Sequence, residues 1–283
     1  MKKKKTILTI ALSICALGFS QAQDVEKTFI QENMEFAARQ YELMLKTPAQ
    51  GKEGKGVMPH SLRKDGTVSK GSIYLWTAGF FPGSLWYISE YLDNKPLQDS
   101  ALVYTKKMEP MKTFTDNHDI GFMMYCSYGN ANRFEPKPEY KDILVESARS
   151  LCTRFRPKAG VIQSWNGFRS WHGDKVYDFP VIIDNMMNLE LLFYASKVTG
   201  DDSFRKVAIS HAENTMKNQV RDDYSCFHIV YYDKETGKPI KGETSQGYSD
   251  NSAWSRGQAW GIYGFTTVSY THLRAHETEL HLV

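Results

Sequence analysis

The chain has 283 residues, 41% of them hydrophobic and 24% charged, the proportions of a globular protein that can bury a sizeable core, with no collagen-like or disordered bias. Lys and Arg number 35 against 32 Asp and Glu; four lysines stand in the first 23 residues, so the remainder holds 31 basic and 32 acidic residues and no basic stripe to neutralise a nucleic-acid backbone. Aromatic content is high, with 16 Tyr, 15 Phe and 6 Trp, which favours carbohydrate surfaces because aromatic faces stack on sugar rings.

Residues 1–23 read as an export signal. Lys2 to Lys5 form its positive start, Ile7 to Phe19 its apolar centre and Ser20-Gln21-Ala22 its small-residue exit, with cleavage after Ala22 or Gln23. The apolar run is short for a bilayer span, and nothing later reaches the roughly 18 consecutive apolar residues that a membrane helix needs. Ile14 stands before Cys15 where a lipid-attachment signal wants a small residue, so a periplasmic chain without a membrane anchor is expected. Cys126, Cys152 and Cys226 remain, an odd number with no C-x-x-C and no metal-ligand spacing, and they read as free thiols.

After a first helix over residues 25–46, two kinds of helical segment alternate. Segments 79–92, 119–130, 184–197 and 254–267 are apolar on most sides and must be enclosed by others. Segments 97–113, 138–155 and 201–219 are amphipathic; the last places Phe204, Val207, Ala208, Ala212 and Met216 at three-to-four spacing among charged neighbours. The inner–outer rhythm predicts an all-α toroid of helical hairpins. Strand-like alternation is confined to Gly160–Ser164 and Cys226–Tyr232, and there is no βαβ rhythm and no GxGxxG.

The residues with chemical potential fall at the starts of the inner segments: Trp76 before the first, His118 and Asp119 at the second, Asp184 and Asn185 at the third, Trp254 and Arg256 at the fourth. Parallel inner helices would bring these N-termini to one mouth, where orphan N–H groups and helix dipoles favour an acidic ligand. Taken singly, each residue has a plainer reading. An Asp at a helix start is as a rule a cap, a lone His a satisfied structural side chain, and a Trp core filling. The recurrence of aromatics beside acids and Arg256 is what core filling does not explain. His211, on an outer segment, reads as structural or surface.

Three segments, Asn117–Gly129 (NHDIGFMMYCSYG), Phe179–Phe193 (FPVIIDNMMNLELLF) and Ser249–Phe265 (SDNSAWSRGQAWGIYGF), resemble in order glycoside hydrolase family 88, the unsaturated glucuronyl hydrolases. The resemblance covers about residues 30–268; a sister family acting on unsaturated rhamnogalacturonan fragments is less similar at Arg256-Gly257-Gln258-Ala259-Trp260. It implies an (α/α)6 barrel that removes a 4,5-unsaturated uronic acid from the non-reducing end of oligosaccharides left by polysaccharide lyases. The chemistry implied is hydration of a vinyl ether, with Asp184 as general acid and base and Asp119 as second carboxylate. By the same resemblance His118, Gln246 and Arg256 are polar contacts, Trp76, Trp254 and Trp260 aromatic walls, and His228 completes the site. No cofactor or metal is implied. The alternatives are an unsaturated rhamnogalacturonyl hydrolase and a non-catalytic periplasmic glycan-binding protein, which would not need paired acids.

At the C-terminus the chain reads SYTHLRAHETELHLV, with histidines at 272, 276 and 281. The stretch resembles translated read-through sequence, so residues 269–283 are expected to carry no evolved function and residues 24–268 to form a partial catalytic domain. Eight helices are expected where twelve close the ring, leaving apolar faces exposed.

Overall fold

In the computed structural model, which describes residues 27–47, 56–173 and 175–273, eight helical rods lie in two layers. The expected leader and the segment 274–283 lie outside the described residues. Helix α1 (residues 27–45) packs its buried face on α2 (Phe80–Leu92) by stacking Tyr41 on Phe81, 5.3 Å between ring centroids. Helix α3 (Lys95–Lys107) folds back over α2. Next come an inner rod made of α4 (Ile120–Met124), a π-helical turn (Tyr125–Gly129) and α5 (Asn130–Phe134), and the outer helix α6 (Pro138–Cys152). The pattern repeats with inner α7 (Leu189–Thr199), outer α8 (Asp202–Gln219) and inner α9 (Ser255–Val268).

Local chemistry sets the hairpins. Helix α2 ends where Asp93 adopts a left-handed conformation at φ 49°, and Asn94 caps α3 by accepting the N–H of Leu97. The same device joins α7 to α8: Gly200 turns at φ 75° and the Asp201 carboxylate accepts from the Ser203 N–H. Inner helices approach closely because glycine lines their contacts. A Cβ on Gly79 would stand 2.2 Å from the Met123 carbonyl oxygen, so only glycine lets α2 and the α4–α5 rod meet there. The π turn frees carbonyls that side chains then satisfy: Ser127 Oγ donates to Met123 O at 2.7 Å and Asn130 Nδ2 to Cys126 O at 2.8 Å.

The expectation that strands are confined to two stretches is corrected. Antiparallel pairs form between β1 (Met58–Leu62) and β2 (Val68–Gly71), β3 (Phe155–Arg156) and β4 (Val161–Ile162), and β5 (Phe168–Arg169) and β6 (Val176–Tyr177). A three-stranded sheet orders β7 (Pro180–Ile182), β8 (Ile229–Tyr232) and β9 (Pro239–Glu243). The third inner segment is also altered. Ile183–Asn188 is a 3-10 turn, and the α-helix begins only at Leu189. Asn185 and Asn188 spend their side chains on tertiary hydrogen bonds, which pull this turn toward strand and helix neighbours.

Candidate active site

The three-stranded sheet sets half of the site by its register. Ile182, the last residue of β7, pairs with Ile229, the first of β8, which pairs with Glu243, the last of β9. Asp184, His228 and Gln246 lie one to three residues beyond these aligned ends and so emerge at one end of the sheet. The other half comes from helix starts. Asp119 is at the N-cap position of α4 and Trp254 at that of α9, Arg256 is in the first turn of α9, and Trp76 precedes α2.

Neither acid serves as a cap. The Asp119 side chain makes no capping bond, and Asp184 follows the turn's N-cap residue, Ile182, with its Oδ1 buried and without a hydrogen-bond partner. Burial pushes Asp119 up to about 7, opposed by Arg154. Asp184 is raised well above the carboxylate range, chiefly by burial and further by the charge of Asp119, while its own backbone and Arg256 pull the other way. The two carboxyls are thus close enough to feel each other, and burial favours the neutral form of both.

Aromatic rings wall the acids. Trp260 meets Trp76 edge-on at 5.8 Å, Trp254 edge-on at 6.0 Å and Phe122 at 6.2 Å, and Phe80 stacks on Phe122 at 5.7 Å. The Arg256 guanidinium lies 4.6 Å from the Trp254 ring centre, 5.3 Å from Trp76 and 5.5 Å from Trp260, and donates to Gln246 Oε1 at 2.6 Å. His228 stacks on Trp254 at 4.1 Å. Its Nδ1 accepts the backbone N–H of Ser245 and of Gln246, so its remaining N–H is on Nε2, which is buried without a partner. Burial pushes its pKa down to about 4, and the ring is neutral.

All nine expected residues therefore converge: Asp119, Asp184, His118, Trp76, His228, Gln246, Trp254, Arg256 and Trp260. Sequence reasoning missed Phe80, Phe122 and Asn188, and it singled out Asn185 at the start of the third inner segment without assigning it a role. Phe122 stands one turn after Asp119 on an inner segment, a signal that was present. Asn188 carried none, because its partners Phe122 and His118 are remote in sequence. His211 is fully buried, its Nδ1 accepting the Ile162 N–H at 3.0 Å, which makes it structural.

Among the described residues, one group has the types and proximity for a metal: His172, Glu243 and Asp250, with potential ligand atoms within 4.8 Å of one another. Its acids are already engaged. Glu243 accepts from Lys241, Ser170, Tyr231 and the Trp171 N–H, and Asp250 pairs with His172 at 2.8 Å and accepts the Thr244 N–H. The cluster braces the β5–β6 hairpin and the loop that presents Gln246.

The unsaturated glucuronyl hydrolase of Formosa agariphila is 46% identical over 198 residues, 70% of this chain and 48% of that protein. The unsaturated chondroitin disaccharide hydrolase of Streptococcus agalactiae is 39% identical over 206 residues, 71% and 50% respectively. The chain thus spans about half the length of the curated relatives it matches. A solved unsaturated glucuronyl hydrolase specific for heparin superposes with a TM-score of 0.77 at 40% identity, covering 86% of this chain and 62% of that one, so the two layers are those of an (α/α)6 barrel. A family model runs through the acids, the indoles and Arg256, matching residues 33–281, and the chain belongs to glycosyl hydrolase family 88.

Proposed function

We propose that this chain carries the acid pair of a glycosidase that removes a 4,5-unsaturated uronic acid from the non-reducing end of lyase-generated oligosaccharides, of the glycosaminoglycan type. The observation that carries the reading is a buried Asp184, its pKa raised, that feels the charges of Asp119 and Arg256 beside a wall of indoles. Asp184 donates its proton to C4 of the double bond, positive charge develops at C5 beside the ring oxygen, and water adds there. The hemiketal then opens and releases the aglycone. The reacting centre is the vinyl ether, so the usual inference from carboxylate separation to anomeric stereochemistry does not apply. Arg256, held among three indoles and by Gln246, pairs with the substrate carboxylate, and the aromatic walls exclude water and keep Asp184 neutral.

The relatives' names support the unsaturated uronide as substrate class, and the leader-like residues 1–23 support a periplasmic setting in which lyase products are degraded. A non-catalytic glycan binder has no use for a desolvated acid whose proton is poised over its ligand. The test is the ultraviolet absorbance of an unsaturated uronyl disaccharide. The chain is expected to bleach it and Asp184→Asn to leave it, with the variant's circular dichroism unchanged. Bleaching by a folded Asp184→Asn variant removes Asp184 from its role.

A further inference from the structure

A buried chain of amides ties the two acid-bearing turns together, and its polarity is fixed from both ends. The Phe122 backbone N–H, which can only donate, lies 2.9 Å from Asn188 Oδ1. At the other end the Ile162 carbonyl, which can only accept, lies 2.8 Å from Asn185 Nδ2. Asn185 Oδ1 therefore accepts from Asn188 Nδ2 at 2.9 Å, and the second hydrogen of that Nδ2 points to His118 Nδ1 at 3.1 Å. His118 Nδ1 is thus an acceptor. Its ring proton sits on Nε2, 3.2 Å from Asp119 Oδ1, off the axis of an ideal hydrogen bond. Gly121 makes the arrangement possible, because a Cβ there would stand 2.3 Å from Asn188 Oδ1. His118, Asn185 and Asn188 are all fully buried.

We propose that Asn188 is a positioning residue for the acid pair: it locks His118 as the Nε2–H tautomer, so that the ring turns its N–H rather than its lone pair toward Asp119, 3.2 Å away and without a formed hydrogen bond, and favours the carboxylate form of that acid. An anionic Asp119 in turn keeps the proton on Asp184. The inference rests on the reading of these acids as the catalytic pair, while the tautomer itself is independent of any substrate. The charged and titratable groups around His118 are Asp119, the adjoining residue, Arg154 from the connection after α6, and His211 from α8. Burial, Arg154 and His211 all push the His118 pKa down, to about 3. The ring stays neutral at working pH, and only the position of its proton is at issue.

The ring nitrogens of His118 report that position by NMR of the 15N-labelled chain. The native chain is expected to show a bonded proton on Nε2 and none on Nδ1 between pH 5 and 8. Asn188→Asp keeps the side-chain shape and the acceptor for Phe122 but sets a second acceptor against Nδ1. In this variant a proton is expected on Nδ1, with kcat on an unsaturated uronide lowered about 10- to 100-fold, KM within about twofold and the pH profile of kcat displaced. A proton on Nδ1 in the native chain overturns the proposal without any variant or substrate. So does a folded Asn188→Asp chain with Nδ1 protonated and native kcat and pH profile. A native chain with the Nε2–H ring that bleaches no unsaturated uronide contradicts the activity and supports the tautomer lock.

Discussion

Asp184 and Asp119 show how burial raises the proton affinity of a common side chain, and the same burial leaves a mark on stability. Both folded-state pKa values are raised, Asp119 to about 7, above the unfolded value near 4. Between those limits the native state binds more protons than the unfolded chain, so this contribution to stability is present at low pH and lost as pH rises through the window. Asp119→Asn is therefore expected to melt a few degrees above the native chain at pH 8 and level with it near pH 4, followed by circular dichroism; a lower midpoint at pH 8 contradicts the desolvated acid. Arg256 offers a second test at this scale. Lysine has neither the planar fork nor the stacking surface that three indoles and Gln246 engage. Arg256→Lys is expected to raise KM for the unsaturated uronide about tenfold or more while kcat changes less; an unchanged KM moves carboxylate recognition elsewhere.

The elements carry these residues with different degrees of legibility. Inner and outer helices could be read from apolar periodicity, and α2, α6, α8 and α9 begin within about three residues of where the sequence placed them. The 3-10 turn of Ile183–Asn188 could not, since it is imposed by amides whose partners, Ile162 and His118, are remote in sequence. The π turn packs closely against Gly83, where a Cβ would stand 2.8 Å from the Cys126 carbonyl oxygen, a contact between segments remote in sequence. The β1–β2 hairpin was legible and missed: Asp65-Gly66 is a turn pair, with Gly66 at φ 80° and Asp65 accepting the Thr67 N–H. Of the site, the side chains that face the mouth could be found from helix starts and resemblance, whereas their supporting shell could not. Glu243 belongs to that shell. Its buried carboxylate holds Lys241, Ser170, Tyr231 and the Trp171 N–H, so Glu243→Gln replaces a charged acceptor of four groups by a neutral amide and is expected to cost about 2 kcal/mol. Hydrogen exchange at the Trp171 amide should speed up in that variant more than exchange at core amides of α7; uniform change across both contradicts the anchoring role.

At the scale of the whole molecule, two of the helices among the described residues carry several exposed apolar side chains each. Helix α1 exposes Phe29, Phe36 and Leu43, and the opposite end of the described chain exposes Ile262 and Tyr263 on α9 and Tyr270 just beyond it. The inner rods between them are enclosed, which is why the acid pair is desolvated in spite of these open faces. Exposed apolar side chains in such number favour self-association in water. Sedimentation of the chain is expected to show concentration-dependent association that Ile262→Ser with Tyr270→Ser reduces; an unchanged profile locates the contact elsewhere. Hydration of the double bond remains the central claim, and it makes one demand that no displacement mechanism shares: the bond to the aglycone need not be breakable. A C-glycoside of the unsaturated uronic acid, with carbon in place of the glycosidic oxygen, separates the two chemistries in one absorbance trace. Steady bleaching of this compound by the native chain, and none by Asp184→Asn, is the result expected. Bleaching of the O-glycoside with the C-glycoside left intact would contradict proton transfer to C4 and place the chemistry at the anomeric carbon.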